Sequence, residues 1–242
     1  MACVMLVAGL IQGALGFGFP FVATPLIAVV TDMRTAIIAV LLPTLATIVV
    51  ALVTSGPLRA TLARFWMMPL YMVVGATMGT SLFVATPDFP YPLLLGLITL
   101  IYLNLDRMGL GESPKVRRRE RSFGAGAGLL AGLFEGTANV AGPPLIIFYL
   151  ALGLTPAMFV QALNICFLVG KSTQFSVMTA YGGVTAAQWL ATVPLALVGV
   201  VASYVGVRLR DRVDAATYRI WVKRALLVIS LALVGQYVYS VL

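Results

Sequence analysis

Long apolar stretches alternate with short polar interruptions along the whole chain. Ala36–Val53 and Leu190–Val201, for example, contain no charged residue and are apolar on every face. A strand of an outer-membrane barrel would alternate apolar and polar residues, whereas a helix surrounded by lipid and other helices is apolar all round. The pattern therefore predicts an all-α, polytopic membrane protein.

Two of the apolar stretches are interrupted by glycine and proline. The first runs over Met1–Leu15, is broken at Gly16–Pro20 and resumes over Phe21–Val30. Glycine weakens a helix, and proline cannot continue one but fits the first turn of a new one. We therefore predict two half-helices joined by a short break. Met1–Leu10 has no basic region, so we expect no cleaved signal peptide there.

The second interrupted stretch has the same form. It runs over Phe123–Thr137, is broken at Ala138–Pro144 and resumes over Leu145–Leu152. Three uninterrupted spans are predicted to follow each broken stretch. They are Arg34–Thr54, Leu62–Ala85 and Tyr91–Leu105, then Pro156–Tyr181, Ala186–Val207 and Ala215–Val241.

The two halves of the chain resemble each other. Ala8–Gly13 matches Ala131–Gly136, and with the same spacing Pro20 falls on Pro143. Weak internal similarity of this kind is typical of transporter repeats. We predict a first membrane repeat over residues 1–105, a basic loop over 106–122 and a second membrane repeat over 123–242.

Composition agrees with a membrane protein. Of the 242 residues, 61% are hydrophobic and 10% are charged, against about 25% charged in an ordinary soluble domain. The mean hydropathy is +1.02. The net charge of +8 therefore reports topology rather than nucleic-acid binding, because nearly all of the charges lie in the connections between apolar stretches.

The position of the basic residues favours one topology. By the positive-inside rule the loop 106–122 is cytoplasmic. If the second broken stretch crossed the membrane, the basic residues between Arg208 and Arg224 would lie outside. If both broken stretches are re-entrant, only Arg34 and Lys171 of the 16 basic residues lie away from the cytoplasmic side. Three spans per half then give inverted repeats with both termini external; a full crossing is the alternative.

A binding site is expected at the breaks. Two re-entrant hairpins from opposite faces would meet near the midplane, where the half-helices beginning at Pro20 and Pro143 would point their N-termini. A helix N-terminus carries free N–H donors and a partial positive charge, so the pair would attract an anion. The alternative is that the breaks are kinks that serve packing. The predicted lining residues are Gly16, Phe17, Gly18 and Pro20 from the first break and Asn139, Gly142 and Pro143 from the second.

Polar residues inside the apolar stretches are few. Asn164, Lys171 and Gln174 share one helix face by their spacing, and we expect them to contribute polar contacts to the site. An ionisable residue inside a span indicates function: Lys171 would pair with Glu135, hold an anionic substrate or titrate, unless it snorkels to the interface. Gln12 and Glu135 occupy the same repeat position and are assigned a coupling or structural role.

The two motifs resemble those of a known family. The segments Ala8–Pro20 and Ala131–Pro144 look like the glycine- and proline-containing motifs of the TauE/SafE sulfite exporter family, also called the toluene sulfonate uptake permeases. The resemblance covers essentially the whole chain. It implies transport of sulfite, sulfonates or related sulfur-containing anions across a cytoplasmic membrane. Gly16–Pro20 and Ala138–Ala141 carry fewer glycines than is common in the family, which leaves the substrate undecided.

These observations predict a secondary transporter of the cytoplasmic (inner) membrane for a small sulfur-containing anion, with an anion channel of the same architecture as the alternative. The expected partners are the anionic substrate and the lipid bilayer, without nucleic acid, metal or cofactor; a homo-oligomer is left open. The chain has no histidine and no paired intramembrane aspartates, which argues against an intramembrane enzyme. A non-transporting scaffold would not need two matching helix breaks.

Overall fold

The structure is a computed structural model, and it describes residues 1–104, 112–209 and 227. The predicted span 215–241, the first part of the basic loop and the basic residues from Arg210 to Arg224 lie outside the described residues. Within these ranges the chain is helical, which confirms the all-α prediction. The helices are α1 Ala2–Leu15, α2 Phe19–Ala28, α3 Met33–Thr54, α4 Leu58–Phe65, α5 Met67–Ala85, α6 Tyr91–Asn104, α7 Pro114–Arg118, α8 Glu120–Ala138, α9 Gly142–Ala151, α10 Pro156–Ala180, α11 Ala186–Ala191 and α12 Val193–Leu209.

Three helical segments of the described chain are long and apolar enough to cross a membrane. They are Met33–Thr54, Met67–Ala85 and Ala186–Leu209, the last formed by α11 and α12 together. The shorter apolar helices include both halves of the first broken stretch and the second half of the other, α9. The helix breaks themselves lie where the sequence predicts them, between α1 and α2 and between α8 and α9.

The prediction of uninterrupted spans is wrong at one place, because the span expected over Leu62–Ala85 changes helix at Trp66. The span expected over Ala186–Val207 has a turn at Thr192 between α11 and α12, which together still form one segment long enough to cross a membrane. Pro69 and Pro194 follow these points within three residues. Because proline has no N–H and its ring collides with the carbonyl four residues earlier, the preceding helix ends and a new one begins.

The chain divides into two compact units, and each draws on both halves of the sequence. The first unit contains Met1–Thr54, Pro90–Leu103 and the chain from Val184 onward, and the second contains Ser55–Phe89 and Asn104–Gly183. The first unit therefore holds α1, α2 and α3 with α11 and α12, whereas the second holds α8, α9 and α10 with α4 and α5. The sequence repeats 1–105 and 123–242 stay a prediction, distinct from these units.

In the first unit, α1 packs against α12 through small residues. A Cβ atom added at Gly9 would lie 2.6 Å from the Gly199 carbonyl oxygen and 2.7 Å from the Ala202 Cβ. At Gly13 it would collide with the Ser203 carbonyl oxygen. Such close approach of two backbones is the usual role of small residues between membrane helices.

The second unit contains the matching contact, between α8 and α5. A Cβ atom at Gly132 would lie 2.6 Å from both the Ala76 backbone nitrogen and the Met72 carbonyl oxygen. At Gly136 it would collide with the Thr80 backbone nitrogen. Gly9 and Gly132 occupy the same position in the two matching sequence motifs, so the two units use equivalent residues for equivalent packing.

The helices α3 and α10 begin in equivalent ways with different caps. Asp32 precedes α3, and its carboxylate accepts hydrogen bonds from the Thr35 backbone N–H at 2.9 Å and the Thr35 hydroxyl at 2.5 Å. Burial raises the pKa of the Asp32 carboxyl, but these hydrogen bonds outweigh burial and leave the pKa below its ordinary value. Thr155 precedes α10, and its hydroxyl oxygen accepts from the Met158 N–H at 3.4 Å.

Candidate functional site

The first break is a glycine turn. Helix α1 ends where Gly16 adopts a left-handed conformation with φ of 80° and ψ of −3°. Gly18 has φ of 118° and directly precedes α2. Both conformations are costly for residues that carry a Cβ atom, which explains the two glycines around Phe17. Pro20 lies in the first turn of α2, as the sequence predicts.

The buried side-chain amide of Gln12 bridges the first break. The Gln12 Oε1 atom accepts a hydrogen bond at 3.0 Å from the backbone N–H of Phe19, the first residue of α2. The Gln12 Nε2 atom donates to the Gly16 carbonyl oxygen at 3.4 Å. One of the N–H donors that a helix N-terminus leaves unpaired is therefore satisfied by the protein itself. The geometry gives Gln12 a structural contact at the break.

The second break uses an asparagine where the first uses a glycine. Helix α8 ends at Ala138, and its C-cap residue Asn139 has φ of 62° and ψ of 23°. Among the described residues it is the one non-glycine with positive φ. Asparagine tolerates this conformation better than most residues, but it adds a polar side chain that glycine lacks. A left-handed glycine or asparagine is a common way for an α-helix to end, so the backbone turn itself is structural.

The N-terminus of α9 offers fewer donors than an ordinary helix. Its first three residues are Gly142, Pro143 and Pro144, and the two prolines have no N–H. In the first turn the donors are therefore those of Gly142 and Leu145. Because this helix N-terminus offers few donors, an anion bound here would need a charged side chain as well.

A buried lysine lies beside the second break. Lys171 lies in α10 and is 0% exposed. Its Nζ atom donates to Asn139 Oδ1, forms an ion pair with Glu135 Oε1 and donates to Gln174 Oε1 at 3.2 Å. The three contacts match the three N–H donors of an ammonium group.

The partners of Lys171 are equally buried and are tied to one another. Glu135 is 1% exposed, and Asn139 and Gln174 are 0% exposed. The Gln174 Nε2 atom donates to the Glu135 carbonyl oxygen at 3.0 Å, which connects α10 to the end of α8. A buried ion pair is tolerated when further hydrogen bonds satisfy its polar atoms. Lys171, Glu135, Asn139 and Gln174 are called the lysine cluster below.

The structure brings together some of the predicted site residues. The lysine cluster joins four of them, and Gly142 and Pro143 begin α9 three and four residues after Asn139. Asn164 is buried but makes a different contact, because its Nδ2 atom donates to the Val160 carbonyl oxygen of its own helix at 2.8 Å. Gly16, Phe17, Gly18 and Pro20 belong to the other compact unit, so their part in the same site stays a prediction.

Gly170 and Met72 lie beside the lysine cluster, and the sequence analysis did not predict either of them as a site residue. A Cβ atom at Gly170 would lie 2.6 Å from the Met72 Cε and 3.2 Å from the Glu135 Cγ. Gly170 thus lets α10 approach α8 closely enough for the ion pair to form. The signal in the sequence is a glycine next to a lysine within an apolar stretch, since small residues permit close helix approach.

Comparison of the chain with known protein families identifies its family. The model of the sulfite exporter TauE/SafE matches residues 1–234 of the 242. The chain belongs to the TauE/SafE sulfite exporter family. No curated protein and no solved structure matches the chain. The resemblance of the two motifs is therefore confirmed at the level of the family.

Membership gives the coarse function. TauE/SafE proteins are membrane transporters of sulfite and related sulfur-containing anions, and they are not enzymes. Helices long enough to span a membrane agree with this assignment. In this TauE/SafE member, a buried lysine lies beside the second helix break, where it contacts Asn139.

Proposed function

We propose that the protein is a secondary transporter that carries sulfite, a sulfonate or a related organosulfonate across the cytoplasmic (inner) membrane. The observation that carries the proposal is Lys171, a cation without solvent exposure at a helix break in a TauE/SafE protein. A charge at such a position is costly to maintain, so it marks a substrate or ion pathway in membrane proteins.

The chemistry of the lysine cluster suits a sulfur oxyanion. A sulfonate or sulfite group presents three oxygen acceptors, and Lys171 offers three N–H donors. The amides of Asn139 and Gln174 contact its Nζ atom and carry two N–H donors each. Charge-assisted hydrogen bonds from an ammonium group are stronger than neutral ones, so Lys171 provides the main attraction and the amides orient the anion.

We further propose that the two halves are inverted repeats with re-entrant broken stretches and a cytoplasmic loop over 106–122. The matching contacts of Gly9 and Gly132 support the repeat, and the basic residues support the inversion. Labelling of introduced cysteines tests the topology. Ser113→Cys should react only from the cytoplasmic side, and Tyr181→Cys only from the outside; the same side for both would contradict the inversion.

Reconstitution in liposomes tests the transport. Uptake of radiolabelled sulfite should saturate with concentration, as expected for a carrier. Uptake that rises linearly and far exceeds carrier turnover would indicate the channel instead. A thermal-shift panel of sulfite, thiosulfate, sulfoacetate and an aryl sulfonate should identify the preferred anion, because a ligand of the folded state raises the melting temperature.

Asn139→Gly tests the site without disturbing the backbone. Glycine adopts positive φ at no steric cost, so the variant should fold like the wild type while the amide is lost. We expect at least about a tenfold loss of anion affinity, equivalent to about 1.4 kcal/mol. Gly126→Ala is the control on the same helix, because its new methyl group meets nothing within 4 Å. Unchanged affinity in Asn139→Gly would contradict the proposed site.

A further inference from the structure

The lysine cluster contains a carboxylate as well as a cation, and this has a consequence for how an anion can enter. Glu135 Oε1 forms an ion pair with Lys171 Nζ, and the other two N–H donors of Lys171 meet Asn139 and Gln174. All three donors are occupied. An incoming anion can therefore reach the ammonium group only if one of the three oxygens withdraws.

We propose that Glu135 occupies the place of the substrate anion on Lys171 and releases it by taking up a proton, so that the site loads one singly charged anion together with one proton. This inference rests on the proposed transport function. It goes beyond that function because it assigns the coupling ion, the stoichiometry and the charge of the substrate.

Charge balance in the buried site supports the coupling. With Lys171 positive and Glu135 negative the site is neutral. Adding a singly charged anion alone would leave a net negative charge among side chains that are at most 1% exposed, and an uncompensated buried charge is strongly unfavourable. Adding a proton to Glu135 restores neutrality.

The step balances in atoms and charge. The Glu135 carboxylate and the Lys171 ammonium, with an anion and a proton, become a Glu135 carboxylic acid and a Lys171 ammonium paired with the anion. No covalent bond of the substrate changes. Sulfite would enter in its singly charged form, hydrogen sulfite, and a sulfonate would enter as it is. A doubly charged anion such as sulfate would leave one negative charge unbalanced.

Among the described side chains that pack around Glu135, Lys171 is the charged one. From α5, Met72 approaches at this level, whereas the titratable Tyr71 packs beside Gly128. From α9, the Tyr149 hydroxyl contacts the Cys166 thiol at 3.3 Å. Among the described residues, the acid of the site is therefore Glu135 and the base that balances it is Lys171.

Proton uptake on binding tests the proposal directly. Methanesulfonate and benzenesulfonate serve as singly charged probes and sulfate as the doubly charged one, each titrated by calorimetry into the purified full chain in two buffers of different ionisation enthalpy. We expect each bound sulfonate to be accompanied by the uptake of one proton. Over the pH range where this uptake occurs, the affinity should fall about tenfold for each unit by which the pH rises. Sulfate should bind at least about tenfold more weakly at equal pH.

Glu135→Gln removes the proton acceptor while keeping the shape of the side chain. It should bind the sulfonates with no proton uptake and no dependence on pH. Glu120→Gln is the matched control, because it makes the same change at the other end of α8, where Glu120 pairs with Arg64 at 3.2 Å and is partly exposed. It should retain one proton per sulfonate.

Each result decides between the two proposals. Sulfonate binding by the wild type without proton uptake would overturn the coupling and leave the transport function standing. Proton uptake that persists in a folded Glu135→Gln protein would overturn the role of Glu135. If neither a sulfonate nor sulfite binds the wild type, the proposed function fails as well. Should Glu135→Gln not fold, the wild-type proton count and the comparison with sulfate still decide.

Discussion

The two helix breaks share a backbone turn and differ in the side chains around it. Each first helix ends on a residue with positive φ, which is Gly16 at 80° in the first break and Asn139 at 62° in the second. At the first break a neutral amide, Gln12, connects the two half-helices. At the second break the corresponding residue is Glu135, which pairs with a buried lysine. Equivalent backbones thus carry different chemistry.

This difference places the buried ion pair of Glu135 and Lys171 in the second half of the chain. Counted with the spacing that relates Gly9 to Gly132, the position of Lys171 in α10 corresponds to Ile48 in α3, and Ile48 is buried and apolar. The two halves therefore share helix packing, while the buried Lys171–Glu135 ion pair has no counterpart at Ile48 and Gln12. A change of charge should therefore affect function at the second break, whereas a change of volume at the matching glycines should affect both halves alike.

The largest effect is expected from Lys171→Met. It leaves the Glu135 carboxylate buried without a cation, which costs about 3–5 kcal/mol of folding free energy, and it should abolish anion binding. The double variant Lys171→Met with Glu135→Gln should recover most of the melting temperature but none of the transport. Ile48→Met, the matching change in α3, should cost less than about 1.5 kcal/mol. A stable, transporting Lys171→Met protein would remove the distinction between the two breaks.

The second effect probes what the two halves share. Gly9→Ala and Gly132→Ala each place a methyl group within 2.6 Å of backbone atoms of the facing helix, and overpacking of this kind costs about 1–3 kcal/mol. We expect similar losses of melting temperature in both variants. Gly126→Ala, where the methyl group meets open space, should be neutral or stabilising by up to about 1 kcal/mol. A large loss in one variant alone would show that the two contacts are not equivalent.

The smallest effect concerns the caps of α3 and α10. Asp32→Ala and Thr155→Ala should each cost about 1 kcal/mol, as cap removal does. The folded-state pKa of Asp32 lies below its ordinary value, so its contribution is present above the unfolded pKa and is lost as the pH falls through the folded pKa.

Thermal unfolding at several pH values measures how the contribution of each cap depends on pH. The gap in melting temperature between wild type and Asp32→Ala should therefore shrink on acidification, whereas the gap for Thr155→Ala should stay constant because a hydroxyl does not titrate in this range. Equal pH dependence in both variants would contradict the assignment of Asp32 as an ionised cap.

Several elements of the fold follow from local sequence rules. The helix breaks lie where glycine and proline interrupt apolar runs, since these residues limit the backbone wherever they occur. The interruptions at Trp66 and Thr192 have the same cause, because Pro69 and Pro194 disturb the helical turn that precedes them. Each of these prolines lies two or three residues after the point where one helix gives way to the next. Their effect on the preceding turn is easily overlooked in a continuously apolar stretch.

The sequence by itself determined the helical class, the family, the positions of both breaks and the residue types able to hold an anion. These depend on backbone rules and on the cost of charge in an apolar environment, which act locally. The tertiary structure decided which helices pack together, with α1 on α12 and α5 on α8. It also decided that Lys171 meets Glu135, Asn139 and Gln174 while Asn164 bonds within its own helix. Such contacts depend on small residues that allow helices distant in sequence to approach closely.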